Sequence, residues 1–298
     1  MCGIVGLFLK DKTLEPQLGA MLTDMLVTMT DRGPDSAGVA IYGSVDEGAG
    51  KITVQSPDPD KDFANLDDEL QKVIGTPVSM VIRSTHAVLD VPTDQITAAR
   101  SALRELRPDL KVMSAGDSLE IYKEVGLPKD VAERFELSKM SGTHGIGHTR
   151  MATESAVTTN GAHPFSTGRD QCLVHNGSLS NHSSLRRMLA HEGIFTETMN
   201  DTEVGAAYLT WRMQNGATLG EALEGTLEDL DGFFTFVVGT HDGFGVVRDP
   251  IACKPAVMAE TDQYVAFGSE YRALVNLPGI DKARVWEPEP ATVYFWNH

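Results

Sequence analysis

Met1-Cys2-Gly3-Ile4-Val5-Gly6 opens the chain, and the apolar run continues to Leu9 before Lys10, Asp11 and Lys12. A cysteine directly after the initiator methionine is a poor start for an ordinary fold. It is a good start for a nucleophile that must also be the first residue. Cysteine is small enough for methionine removal to expose it, and the mature chain then carries a thiol and a free α-amine on one residue. An unperturbed α-amine titrates at about 7.7–8.0, close to where a general base works best. Nucleophile and base then share a residue, the N-terminal form of an activated nucleophile. Position 2 alone is also compatible with a buried thiol leading into a strand over residues 3–9.

The composition sets limits on that reading. A chain of 298 residues can bury a sizeable core, as one large domain or a domain with an insertion. Lys and Arg number 25 against 42 Asp and Glu, a net charge of −17 that argues against nucleic acid or an anionic membrane as the main partner. No apolar stretch approaches the ~18 residues of a membrane span, and no basic segment precedes the short apolar run as in a secretory signal. Three cysteines, Cys2, Cys172 and Cys253, make no disulfide framework and suit a reducing cytosol, so a cytoplasmic location is expected.

Working outward, residues 15–30 read as a helix from the spacing of Leu18, Met21, Leu22, Met25, Leu26 and Met29. Asp31-Arg32-Gly33-Pro34-Asp35-Ser36 reads as a loop, followed by strands at 37–42 and 51–56 joined by a Gly-rich turn. A β/α region, 76–141, then reads as an insertion, with strands at 78–82 and 110–114 and helices at 93–106, 118–125 and 129–137. Short strands resume at 145–152, 171–176, 233–240, 243–248, 256–260, 264–268 and 291–295. Helices are expected at 180–191, 202–215 and 219–230. Two sheets covered by helices, an α+β fold, is the economical arrangement of such a list.

Three signals carry chemistry. Arg150 ends a half-buried strand, where its planar fork suits a carboxylate; an isolated arginine there is otherwise a structural ion pair. Asn176-Gly177 is ordinarily a turn, yet its side-chain amide and backbone N–H are two neutral donors able to converge on one oxyanion. Asn200-Asp201-Thr202-Glu203 reads as a helix N-cap, and its carboxylate can also accept from an ammonium group. With Cys2 these describe a pocket for an α-amino acid whose far end is an acyl group, and the carboxamide of glutamine fits. His144, His148, His163 and His175 lack zinc spacing, the acidic run 58–69 lacks a calcium-loop pattern, and no metal is expected. Cys172 and Cys253 are expected in the core.

Those residues lie within a longer set. Cys2-Gly3-Ile4-Val5-Gly6, Arg32-Gly33-Pro34-Asp35-Ser36-Ala37-Gly38, Gly147-His148-Thr149-Arg150-Met151-Ala152-Thr153, His163-Pro164-Phe165, His175-Asn176-Gly177-Ser178-Leu179-Ser180-Asn181 and Asn200-Asp201-Thr202-Glu203 occur in the order of the class II glutamine amidotransferases, which the chain resembles. Asp231-Gly232-Phe233-Phe234, Arg248-Asp249-Pro250 with Lys254-Pro255, and Gly268-Ser269-Glu270 continue the match. The resemblance spans the chain except 76–141 and the last residues. It implies the N-terminal-nucleophile hydrolase fold, a four-layer αββα sandwich, over residues 2–298, with Cys2 made N-terminal by loss of Met1. It implies Cys2 as nucleophile, Asn176 and Gly177 as oxyanion donors, Arg150 on the glutamine α-carboxylate and Asp201 on the α-amine. Thr153 and His163 would line or support the pocket. Arg32 would position a mobile 32–36 segment that closes over it. Several members of the family carry His where this chain has Glu154.

The motifs reach Glu270 and leave no room for a synthase domain behind them, nor is there a Walker A loop, a dinucleotide fingerprint or an Fe–S cysteine cluster. The acceptor chemistry is therefore expected on another polypeptide. The nearest resemblance is to stand-alone glutaminase chains of glutamate-synthase-like systems, such as the glutaminase component of N-methylglutamate synthase (methylamine–glutamate N-methyltransferase). It implies L-glutamine as ligand, no cofactor in this chain, and partner subunits resembling the FMN and C-terminal β-helix domains of glutamate synthase, with FMN and Fe–S on those partners. Two other readings stay open: a non-catalytic assembly component of the same fold, and an N-terminal-nucleophile amidohydrolase for another acyl group. The pairing of Arg150 with Asp201 disfavours the last.

Overall fold

A computed structural model describes residues 2–44, 47–152 and 156–298. The first strand, Gly3–Leu9, shows how the layers arise. All seven residues are buried, because a strand turns alternate side chains to opposite faces and both faces are covered here. Val5, Leu7 and Leu9 join the core that holds Leu18, Leu22, Met25 and Leu26 of the helix Leu18–Thr28. Ile4 and Phe8 point the other way, against Val174, Val237, Phe244 and Val246 of a second sheet. That sheet turns Leu173, Phe234, Phe236 and Val247 outward onto the helices His182–His191, Asp201–Gln214 and Leu219–Asp229. The result is helix, sheet, sheet, helix: four layers, as expected.

The first sheet has seven strands in the order Arg284–Trp286, Val257–Glu260, Tyr264–Gly268, Gly3–Leu9, His144–Arg150, Ser36–Tyr42 and Leu119–Val125. The second has five: Thr292–Asn297, Gly243–Arg248, Gly232–Gly239, Gln171–Leu179 and Phe165–Gly168. Every pairing within them is antiparallel.

A third sheet of four strands, Ser79–Arg83, His86–Pro92, Ala49–Gln55 and Lys111–Gly116, has its own core of Ile52, Val54, Leu66, Leu70, Leu89, Ala99 and Leu103. The separate unit therefore begins at Ala49 rather than at residue 76. The expected strands 37–42 and 51–56 are not partners, since Ala49–Gln55 pairs with His86–Pro92 and Lys111–Gly116. The unit also ends before residue 141. Residues 118–125, expected as a helix, form the strand Leu119–Val125 paired with Ser36–Tyr42. Leu119 and Ile121 fill the core between the two main sheets, while Tyr122 packs on the opposite face beside Phe135. Tertiary packing overrides the helix preference of Glu120, Lys123 and Glu124.

Cys172 is buried, its Sγ 3.2 Å from the Tyr42 hydroxyl, but Cys253 is exposed, contrary to expectation. It sits in the loop after Gly243–Arg248, whose apolar neighbour Ile251 also faces solvent. No helix among the described residues is long and apolar enough to cross a membrane.

Candidate active site

Register puts the chemistry at one end of the sandwich. Gly3 lies opposite Thr149, and Ser36 opposite Arg150, so Cys2 and Arg150 emerge side by side from neighbouring strands. In the facing sheet, Gln171–Leu179 carries Asn176 and Gly177, and Asp201 begins the helix Asp201–Gln214. Cys2, Arg150, His163, Asn176, Gly177 and Asp201 all line one cleft of about 1060 Å³.

The backbone of Cys2 is held from two sides. Its carbonyl oxygen accepts from Arg32 Nε at 2.9 Å and from Asn176 Nδ2 at 3.3 Å. Arg32 is buried and also pairs with Glu270 at 2.7 Å. That hydrogen bond, helped by Arg272, holds the Glu270 carboxyl below its ordinary range despite partial burial. Ser269 clamps the next residue, its Oγ accepting from Ile4 N at 2.9 Å and its N–H donating to Ile4 O at 2.9 Å. The Gly268-Ser269-Glu270 motif thus acts on the first strand. Arg32 does not line the cleft. The 32–36 segment, expected as a closing flap, is tied to the end of the neighbouring strand: Asp35 N donates to Arg150 O at 3.1 Å, and Asp35 Oδ2 accepts from Ala152 N at 2.8 Å.

Gly177 cannot be another residue. Its φ is +152°, and a Cβ there would lie 1.9 Å from the Phe233 carbonyl oxygen. Asp201 spends one carboxylate oxygen on Leu179 N at 2.9 Å, and its other oxygen lies 3.9 Å from His175 Nδ1. The Asn200 side chain caps the helix at Thr202 N, 2.9 Å away, so Asp201 stands in a first turn whose dipole favours its charge.

Behind this face, Thr202 Oγ1 lies 3.1 Å from His175 Nδ1 and 3.2 Å from His163 Nε2, and the His148 and His163 rings are 4.0 Å apart. Burial pushes His148 down to about 3 and His175 to about 4, and takes His163 well below its ordinary value. These rings are neutral at pH 7. His163 therefore supports the wall through Thr202 while touching the cleft. Thr153 and Glu154 fall outside the described residues. His144 is elsewhere, stacked on Tyr42 at 4.0 Å. Among the described residues, the only group of three or more His, Cys, Asp or Glu whose ligand atoms all lie within 4.8 Å of one another is Asp117, Asp170 and His241. Asp170 there accepts the N–H groups of Asp117, Ser118 and Leu119, and Asp117 pairs with Arg169, so both carboxylates are already engaged.

Sequence reasoning gave no role to Lys254 and Phe233, which also line the cleft. Arg248 donates to the carbonyls of Ala252 and Lys254 at 2.7 and 2.8 Å and shapes the loop that brings the Lys254 ammonium 5.1 Å from the Phe233 ring centre. Their signal was the pair of motifs Arg248-Asp249-Pro250 and Asp231-Gly232-Phe233-Phe234. Chemically, the cleft offers a thiol-bearing residue, an amide and an N–H beside it, a guanidinium and a carboxylate.

Comparison with known proteins gives a concordant result. The profile of the glutamine amidotransferase domain matches residues 148–276. The glutamine amidotransferase-like protein GlxB of Rhizobium meliloti (strain 1021) is 70% identical over 298 residues, covering 100% of this chain and 99% of that one. A relative from Methanothermobacter thermautotrophicus, named "Putative glutamine amidotransferase", is 34% identical over 310 residues, covering 99% of each chain. Among solved structures, glutamine phosphoribosylpyrophosphate amidotransferase from B. subtilis superposes on 99% of this chain with a TM-score of 0.62 at 20% identity. This chain spans 47% of that one, and the likeness is one of fold.

Proposed function

The chain belongs to the class II, N-terminal-nucleophile glutamine amidotransferases, and from that premise we propose that it hydrolyses the side-chain amide of L-glutamine through a thioester on Cys2. Loss of Met1 frees the Cys2 amine, which takes the thiol proton as sulfur attacks the amide carbon. The amide of Asn176 and the N–H of Gly177 hold the oxyanion; an amide has two hydrogens, and only one is bound to the Cys2 carbonyl. The amine then protonates the leaving nitrogen as the C–N bond breaks, and ammonia departs. Water cleaves the thioester to glutamate and regenerates the thiol. Arg150 holds the substrate carboxylate and Asp201 its ammonium, with His163 supporting the wall and Arg32 fixing the backbone of Cys2.

The observation that carries this reading is the convergence of Cys2, Asn176, Gly177, Arg150 and Asp201 on one cleft. Ammonia release from L-glutamine tests it against glutaramate, which lacks the α-amine. Glutamine should turn over, and glutaramate should react at least a hundredfold more slowly in kcat/KM. Asp201→Asn should narrow that gap mainly by weakening glutamine. Equal use of both amides would point to another acyl substrate.

The finer proposal is that the ammonia, or the γ-glutamyl group, is passed on within a multi-subunit, glutamate-synthase-like enzyme, N-methylglutamate synthase being the specific assignment. Its support is the sequence resemblance to stand-alone glutaminase chains of such systems. FMN and Fe–S would reside on the partner chains, and the inserted sheet is assigned to docking them or gating the cleft.

A further inference from the structure

One wall of the cleft is the segment 156–164, from which Ala156, Thr158, Asn160, Gly161 and His163 line the cavity. It contains neither helix nor strand, so its shape depends on side chains that reach it. The strand Leu119–Val125 supplies two of them. Alternation turns Lys123 to the face of Leu119 and Ile121, between the sheets, where its ammonium is buried. Lys123 Nζ donates to Ala162 O at 2.8 Å, Pro164 O at 3.1 Å and Asn160 O at 3.4 Å, and lies 4.3 Å from the Phe165 ring centre. An ammonium has three hydrogens, and three carbonyls of one segment meet them. The next residue, Glu124, accepts from the Thr159 hydroxyl and, at 2.9 Å, from Thr85 of the inserted unit. Gly38 lies opposite Lys123, and a Cβ there would stand 2.2 Å from the His163 carbonyl oxygen, so the segment is drawn hard against the sheet.

We propose that Lys123, with Glu124 beside it, is a positioning residue for substrate binding: it fixes the 156–164 wall against the sheet so that the wall faces the bound amino acid beside Arg150. A Cβ on Gly161 would lie 3.6 Å from Arg150 Nη1, so displacement of this wall moves the surroundings of that guanidinium. Cys2, Asn176 and Gly177 are held by other contacts, through Arg32, Ser269 and the neighbouring strands. The device acts on binding, not on the thiol. This inference rests on the glutamine reading above.

The test uses Lys123→Met, which keeps the stem and removes the ammonium, in the full chain. KM for glutamine should rise at least tenfold while kcat stays within about threefold. Alkylation of Cys2 by iodoacetamide should proceed at the wild-type rate, and amide hydrogen exchange should quicken in 156–164. An unchanged KM, or a loss confined to kcat, overturns the proposal. Should Lys123→Met not fold, Thr159→Val removes the Glu124 tether alone; a KM rise of about threefold is expected, and no rise overturns the proposal. A wild-type chain that does not hydrolyse glutamine contradicts the glutamine reading instead. Exchange in 156–164 of Lys123→Met then still decides whether Lys123 fixes the wall.

Discussion

Asn176 does two things with one side chain. It ties down the Cys2 carbonyl at 3.3 Å and, in the proposed mechanism, would also donate to the oxyanion. Arg32 holds the same carbonyl at 2.9 Å, so Asn176→Ala leaves the first residue anchored. The expected result is a kcat for glutamine hydrolysis lower by about 10²–10³, the usual effect of losing one oxyanion donor, with KM within a few-fold. Steady-state ammonia release measures both, and a kcat within threefold of wild type would remove Asn176 from the oxyanion site. At this scale the sequence was most legible. Cys2, Arg150, Asn176, Gly177 and Asp201 were each visible as residue types suited to one task, and all five line the cleft. The resemblance set Arg32 at a segment that closes over the substrate, and nothing local to it shows that it pairs with Glu270, 238 residues away.

At the scale of elements, the sequence showed the main strands and helices wherever one face met solvent or a helix period was clear. It failed at Leu119–Val125, where charged residues occupy buried positions on both faces. Leu119–Val125 alternates, but its outward residues, Glu120 and Glu124, are neither solvated nor apolar. They meet Lys51 and Thr85 of the inserted unit, at 2.7 and 2.9 Å, while Lys123 faces inward. Such a strand shows charge at three positions and reads as an amphipathic helix. The start of the insertion was hidden for a related reason. Ser36–Tyr42 and Ala49–Gln55 look like a hairpin, and only the competing partners His86–Pro92 and Lys111–Gly116 reveal that the chain has changed sheets. Local pattern specifies a strand; it does not specify its neighbour.

Across the whole molecule, the two sheets and the inserted unit bury five of the described histidines. Burial holds His86, His144 and His148 at about 3 and His175 at about 4, and His163 lies well below the ordinary 6.5. The unfolded chain protonates these rings near 6.5, whereas the folded chain resists down to about 3–4. Between those limits the unfolded state binds more protons, so their contribution is fully present above 6.5 and is lost as pH falls. Denaturant unfolding at pH 7.5, 6 and 5 should show stability falling by more than about 1.4 kcal/mol per unit, the slope of a single proton. A flat profile would mean that these rings are not buried neutral. The four-layer frame also sets Cys2 at the end of an inner strand, where its amine can act only if Met1 is gone. The most direct measurement is the intact mass of the purified chain before and after exposure to 6-diazo-5-oxo-L-norleucine, with the adduct located by peptide mapping. The account predicts a chain lacking Met1 that gains one adduct, on Cys2. Retained Met1, or no adduct on Cys2, would contradict it.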